Sequence, residues 1–210
     1  MTKNVARRLE VWAFGAAFVV FSGAVALGWL NEMDLWVLRT AQEHPSGFLD
    51  LASDIFSFPG GAEVAGTALI VLLAILFLRG RRALAGRLLA VFVATVLLEL
   101  AMKLYLPQAP IPQGSERIED FAPLLAIDLP YPYPSGHMAR GVIFFGALYL
   151  LSESRLLRIG LVLIVSGLAA SRIYPGLHWT SDVVGGALLG VTALLRAFEK
   201  EDRGGDHSSR

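Results

Sequence analysis

The sequence predicts an all-α protein threaded several times through a membrane. Three observations carry that prediction. Hydrophobic residues make up 55% of the 210 residues, and they gather into long runs instead of recurring with amphipathic spacing. Basic residues cluster in alternate connections between those runs. The histidines beside the later runs, His137 and His178, stand at one set of run ends, while the opposite connections carry arginine clusters without histidine.

Six runs approach or reach membrane length, at positions 11–30, 62–78, 83–106, 137–152, 156–174 and 181–198. About 20 residues at ~1.5 Å each match a hydrocarbon core of ~30 Å. The first run follows Lys3, Arg7 and Arg8 and contains "GAVALG", which imitates a secretory signal with an A-x-A cleavage site. At about 20 residues it exceeds the core of such a signal, so an uncleaved first helix is expected. Positions 31–61 hold "MDLWVLRTAQ" and "GFLDLASDIFSF", separated by Pro45, Ser46 and Gly47. Both read as short amphipathic helices lying in the outer interface, with Trp36 as an anchor. The fourth run is short and alone would read as a buried core helix; its five neighbours favour a span. No internal repeat or linker divides the chain, so residues 1–198 are expected to form one six-helix domain. The tail at 199–210, "KEDRGGDHSSR" after its first glutamate, is polar and contains glycine and serine, a composition that predicts disorder.

Lysine and arginine placement sets the orientation. Lys3, Arg7 and Arg8 precede the first run, and Arg79, Arg81, Arg82 and Arg87 link the second and third. Arg155 and Arg158 link the fourth and fifth, and Arg196, Lys200, Arg203 and Arg210 follow the sixth. Thirteen of the 18 basic residues thus share one side, leaving Arg39, Lys103, Arg117, Arg140 and Arg172 for the other. The positive-inside rule puts both termini in the cytoplasm of a multi-pass cell (inner) membrane protein. A formal net charge of zero gives no support to a nucleic-acid partner. Without cysteine there is neither a disulfide framework nor a thiolate nucleophile.

On the outward side, four stretches converge: Lys103; then Ser135, Gly136, His137 and Arg140; then Ser171 and Arg172; then His178 and Asp182. Taken singly, each has a structural explanation. Ser135 and Ser181 can be N-caps, Asp182 can complement a helix dipole, and Lys103 and Arg172 can snorkel to the interface. Those explanations are independent of one another and do not account for one shared face. A phosphate-handling site does.

"PSGH" at 134–137 and "SRIYPGLHWTSD" at 171–182 resemble the second and third signature motifs of the type 2 phosphatidic acid phosphatase (PAP2) superfamily. The resemblance implies an integral-membrane phosphatase acting without cofactor or metal, and it assigns roles. His178 would be the nucleophile and form a phosphohistidine. Asp182 would orient its ring, and His137 would protonate the leaving oxygen. Lys103, Ser135, Gly136 and Arg172 would bind the phosphate, the arginine through its planar fork. No Asp/Glu/His cluster with metal-ligand spacing stands in the sequence.

The first family motif, lysine then six residues then Arg-Pro, is incomplete. Lys103 begins "KLYLPQAPIP", and Pro110 occupies the arginine's place. Arg140, three residues past His137 on the same helix face, is expected to supply the missing charge, with Arg117 the next candidate. Glu99, four residues before Lys103, is expected to pair with it and ease the burial of both. A site at the outer interface favours a lipid phosphate drawn from the bilayer: a polyprenyl diphosphate, phosphatidic acid or a phosphatidylglycerol phosphate. Two alternatives share these residues. One is a lipid phosphotransferase with the same intermediate. The other is a non-catalytic phospholipid-binding pseudoenzyme, for which the missing arginine is the one supporting feature.

Overall fold

In a computed structural model, which describes residues 3–117 and 129–199, eight α-helices and a short 3₁₀ turn succeed one another, with no strand among the described residues. They are α1 (Lys3–Ala26), α2 (Asn31–Ala41), α3 (Gly47–Ser57), the 3₁₀ turn Phe58–Gly60, α4 (Ala62–Leu78), α5 (Arg82–Tyr105), α6 (Gly136–Leu151), α7 (Arg155–Ile173) and α8 (Thr180–Phe198). The tail read at 199–210 lies outside the described residues except for Glu199, and with it Lys200, Arg203 and Arg210.

Among the described residues, four helices are long and apolar enough to cross a membrane: α1 over Ala6–Ala26, α5, α7 and α8. The chain is a multi-pass membrane protein. α4 reaches that standard only together with α3 and the 3₁₀ turn, from which it is bent by 46°. α6 has 16 residues and falls short. The count supported by length and composition is therefore four, or five with the bent pair, against the six runs of the sequence.

The first helix is displaced from its predicted place. It begins at Lys3 and stops at Ala26, because Gly28 takes φ 72° and closes a C-terminal turn in which Trp29 N donates to Ala24 O and Gly28 N to Val25 O. Glycine is the residue that enters this left-handed region without steric cost. Gly80, at φ 79°, ends α4 the same way and turns the chain into α5.

α8 is the central helix, with 61% of its apolar window buried against 17–28% for the other three. Its Gly186 and Gly190, spaced four apart, let α6 come close. A Cβ at Gly190 would lie 2.8 Å from Ala139 O and 2.8 Å from Val142 Cβ, so any larger residue would force the pair apart. That approach sets the start of α6 beside the start of α8. Leucines and small residues of α4, α5, α6 and α8, including Leu69, Leu84, Leu88, Ala147 and Ala197, form the main apolar core.

The helices α2 and α3 are present where expected, and α3 turns its faces opposite to those of a helix on a soluble protein. In α3, Ser53 and Ser57 are buried while Phe48, Leu51 and Ile55 are exposed; α2 is mixed, burying Asp34 and Leu38 and exposing Glu32, Trp36 and Arg39. A polar face turned inward and an apolar face turned outward suit a surface that meets lipid.

The bundle has two distinct ends. At one, Arg7 Nη1 donates to Phe198 O and Arg87 Nε to Ala197 O, capping the last carbonyls of α8. The start of α1, the start of α5 and the close of α8 therefore meet there. The starts of α6 and α8 and the last turn of α5 meet at the other, where Tyr131 N donates to Lys103 O and Ser135 N to Asp182 O.

Candidate active site

The second end holds a cavity of about 320 Å³ lined by Lys103, His137, Arg140, Arg172 and His178, with Ser57, Phe58, Gly61, Ala62, Glu63 and Val64 on the α3–α4 side. Residues from α3, α4, α5, α6, α7 and the loop before α8 thus meet around one space. Ser135, Gly136 and Asp182 stand behind its wall and do not line it.

His178 is buried, and its Nδ1 lies 3.0 Å from Asp182 Oδ2, one helical turn on. The same carboxylate oxygen accepts from Trp179 N at 3.0 Å, and Oδ1 accepts from Gln108 Nε2 at 2.7 Å. With both oxygens bonded and Asp182 fully buried, the carboxylate holds the Nδ1 edge of the imidazole in place.

Asp182 therefore also closes the first turn of α8 by accepting from Trp179 N, where its charge complements the helix dipole, and the two roles share one oxygen. Ser181 is no N-cap. Its N–H and its hydroxyl both donate to Asp34, at 2.8 and 2.6 Å, and Gln108 Nε2 donates to the same hydroxyl at 3.1 Å. Asp34 is 2% exposed, and its burial raises the carboxyl above its ordinary 3.8 against the pull of the Ser181 hydrogen bonds. α2 is thereby pinned to the first turn of α8 beneath the histidine.

Ser135 stands at the N-cap position of α6, yet its side chain makes no cap hydrogen bond, and its fully buried Oγ has no hydrogen-bond partner among the described residues. Arg172 is 1% exposed, so it does not snorkel; its Nη1 donates to Ser57 Oγ at 2.7 Å. Lys103 Nζ lies 3.2 Å from Glu99 Oε1, as the spacing of the two residues predicts. Arg140 Nη1 reaches the other oxygen of Glu99 at 3.0 Å.

Arg140 is on the cavity wall and Arg117 is not. Arg117 lies 3.3 Å from Asp50 Oδ1, with its guanidinium carbon 5.6 Å from the centre of the Tyr174 ring. Where the first motif lacks its arginine, the segment after Lys103 serves α8 instead: Gln108 binds Asp182, and Trp179 Nε1 donates to Ala109 O at 2.8 Å. Among the described residues, no group of three or more His, Asp or Glu side chains is placed to hold a metal ion.

Sequence reasoning missed Asp34, Ser57, Glu63 and Gln108. Asp34 left a faint signal, as an acid on an otherwise lipid-facing helix, and Gln108 lies within the first-motif stretch. Ser57 and Glu63 left none.

Residues 101–203 match the family model described as the PAP2 superfamily. The match takes in Lys103 through Asp182 and leaves out Asp34, Ser57, Glu63 and Glu99. Two solved structures are similar. One is the first transmembrane PAP2 type phosphatidylglycerolphosphate phosphatase from Bacillus subtilis, 21% identical over 100% of both chains with a TM-score of 0.67. The other is Aquifex aeolicus LpxE, 25% identical over 79% of this chain and 94% of that one, with a TM-score of 0.57. No curated protein matches the chain in sequence.

Proposed function

Since the chain belongs to the PAP2 superfamily, we propose that it is an integral-membrane lipid phosphatase that works through a phosphohistidine on His178 and needs no metal. The observation that carries this reading is one cavity lined by two histidines and three cations from distant parts of the chain. The similar Bacillus subtilis enzyme, a phosphatidylglycerolphosphate phosphatase by its name, supports a lipid substrate.

His178 Nε2 attacks phosphorus and forms a P–N bond while the bond to the leaving oxygen breaks. His137, the other histidine on the wall, gives that oxygen a proton. Water then attacks the phosphohistidine and loses its proton to His137; the P–N bond breaks and phosphate leaves. Asp182 keeps the tautomer right and steadies the imidazole as it gains charge. Lys103, Arg172 and Arg140 neutralise the phosphoryl oxygens from the wall of the cavity. Arg140 takes the part of the arginine that Pro110 displaces. Ser135 and Gly136 support the phosphate from the start of α6.

The topology that fits this chemistry is six crossings, with α4 and α6 as short spans of a single domain over 1–198 and a polar tail over 199–210. Both termini face the cytoplasm and the cavity opens on the extracytoplasmic side. The basic clusters at the far end support that orientation. Phe58, Ala62 and Val64 give the cavity an apolar wall, along which a lipid chain can remain in the bilayer while its phosphate enters. Polyprenyl diphosphates, phosphatidic acid and phosphatidylglycerol phosphate all meet this requirement.

The test is phosphate release from these three lipids by the purified protein in detergent, with and without a chelator. Release that persists with chelator is expected. Release abolished by chelator would overturn the metal-free route, and no release from any of the three would overturn the function.

A further inference from the structure

We propose that Glu99 is an internal counter-anion of the phosphate site: it holds the position between Lys103, Arg140 and the start of α6 that a phosphoryl oxygen would seek, and so sets how readily the site releases its product. The inference rests on the reading of the cavity as a phosphate site. It concerns a residue outside the matched stretch 101–203.

Glu99 has three sources of positive potential around it. Its side chain is 7% exposed; Oε1 lies 3.2 Å from Lys103 Nζ and Oε2 3.0 Å from Arg140 Nη1. Its carboxylate also packs against Gly136, the first residue of α6, so closely that any Cβ there would collide with it. The N-terminus of a helix carries unpaired N–H groups and the positive end of the macrodipole. Two cations and a helix start form the environment in which phosphate binds elsewhere. Here a carboxylate already occupies it.

Gly136 thus has a physical reason to be glycine, because the motif position that meets the helix start must leave room for Glu99. Arg140 Nε, buried without a hydrogen-bond partner among the described residues, shows that Glu99 does not use all of the guanidinium's donors. An ionised carboxylate in a membrane helix is costly unless paired. Once paired, it cancels part of the charge that would otherwise hold phosphate too tightly. Cations gripping the product after the P–N bond breaks would slow its departure, and product departure limits many enzymes.

The test compares the wild-type protein with Glu99→Gln, which keeps the shape and one acceptor and removes the charge. Inorganic phosphate is the probe, its affinity measured by calorimetry and separately as inhibition of turnover. Glu99→Gln is expected to bind phosphate about tenfold more tightly or better, as removal of a nearby buried negative charge requires, with KM and kcat falling together. A merely structural carboxylate predicts the reverse, because loss of site geometry cannot tighten binding.

Should Glu99→Gln not accumulate as folded protein, Glu99→Asp draws the charge back from Arg140 and is expected to tighten phosphate binding about threefold. Unchanged or weaker phosphate affinity in either folded variant would overturn the inference. Tighter phosphate binding in a chain that hydrolyses no lipid phosphate would instead uphold it and overturn the proposed function.

Discussion

Each end of the bundle has a glutamate shared by two cations, and the two arrangements differ in what surrounds them. At the cavity end, Glu99 binds Lys103 and Arg140, whose side chains are 16% and 12% exposed. At the far end, Glu199 binds Arg8 and Arg196, whose side chains are 61% and 58% exposed. The carboxylates are almost equally enclosed; the cations are not. Water already solvates Arg8 and Arg196, so their pairing is worth about 0–1 kcal/mol and they would add little to an arriving anion. Lys103 and Arg140 are far less exposed, and Arg172 is 1% exposed, so each leans more on neighbouring negative charge than a cation at the far end does. Charge alone marks both ends of this molecule. Charge set back from the surface marks the one that holds the cavity.

The comparison is broken most severely at the proposed nucleophile. His178→Asn is expected to lower kcat by about 10⁴-fold or more, since removing one member of such a unit abolishes the unit; phosphate release from phosphatidic acid in detergent measures it. Next come the buried cations. Arg140→Ala and Arg172→Ala should each lose about 10²- to 10³-fold in kcat/KM, and by similar factors, if Arg140 does the work of the absent motif arginine. Near-normal turnover in Arg140→Ala alone would remove it from the site.

A smaller effect is expected one layer out. Asp34→Ala leaves the Ser181 N–H without its acceptor and frees the start of α8, with a loss of about tenfold in kcat. Asp34→Asn, which can still accept from that N–H and donate to the hydroxyl, should lose less. Burial raises the folded carboxyl above 3.8, so its contribution to stability is fully present below the unfolded value and is lost as pH rises through the folded one. Asp34→Asn should therefore flatten the fall in melting temperature just above pH 3.8 in a thermal scan. The far end supplies the smallest change. Arg8→Ala and Arg196→Ala should alter turnover less than about twofold and stability by no more than ~0.5 kcal/mol.

Much of this was legible from the sequence, and what was not has a common cause. Helices came through because membrane-length apolar runs need no tertiary information. Their limits came through less well: α1 ends where Gly28 turns the chain, and α6 is as short in the structure as in the sequence. α2 and α3 could be read as amphipathic, but that α3 turns its serines inward and its large apolar residues outward could not. His137, Arg172, His178 and Asp182 lie in two short motifs whose internal spacing fixes their geometry. Glu99 and Lys103 share a helix face and were equally readable. The missed contacts join residues far apart in sequence: Asp34 to Ser181, 147 positions away, Ser57 to Arg172, 115 away, and Gln108 to Asp182, 74 away. No local pattern announces such a pair. Arg140 and Arg117 could be told apart only in three dimensions, where Arg140 lines the cavity and pairs with Glu99 across α5 and α6 while Arg117 pairs with Asp50.

The claim on which the rest depends is that the cavity's histidine carries the phosphoryl group. The most direct measurement is to quench the protein in alkali during turnover of a ³²P-labelled lipid phosphate and locate the label. The account predicts an acid-labile, alkali-stable phosphoenzyme on the peptide containing His178, absent from His178→Asn. Sustained phosphate release by His178→Asn, or label trapped on any other residue, would contradict it.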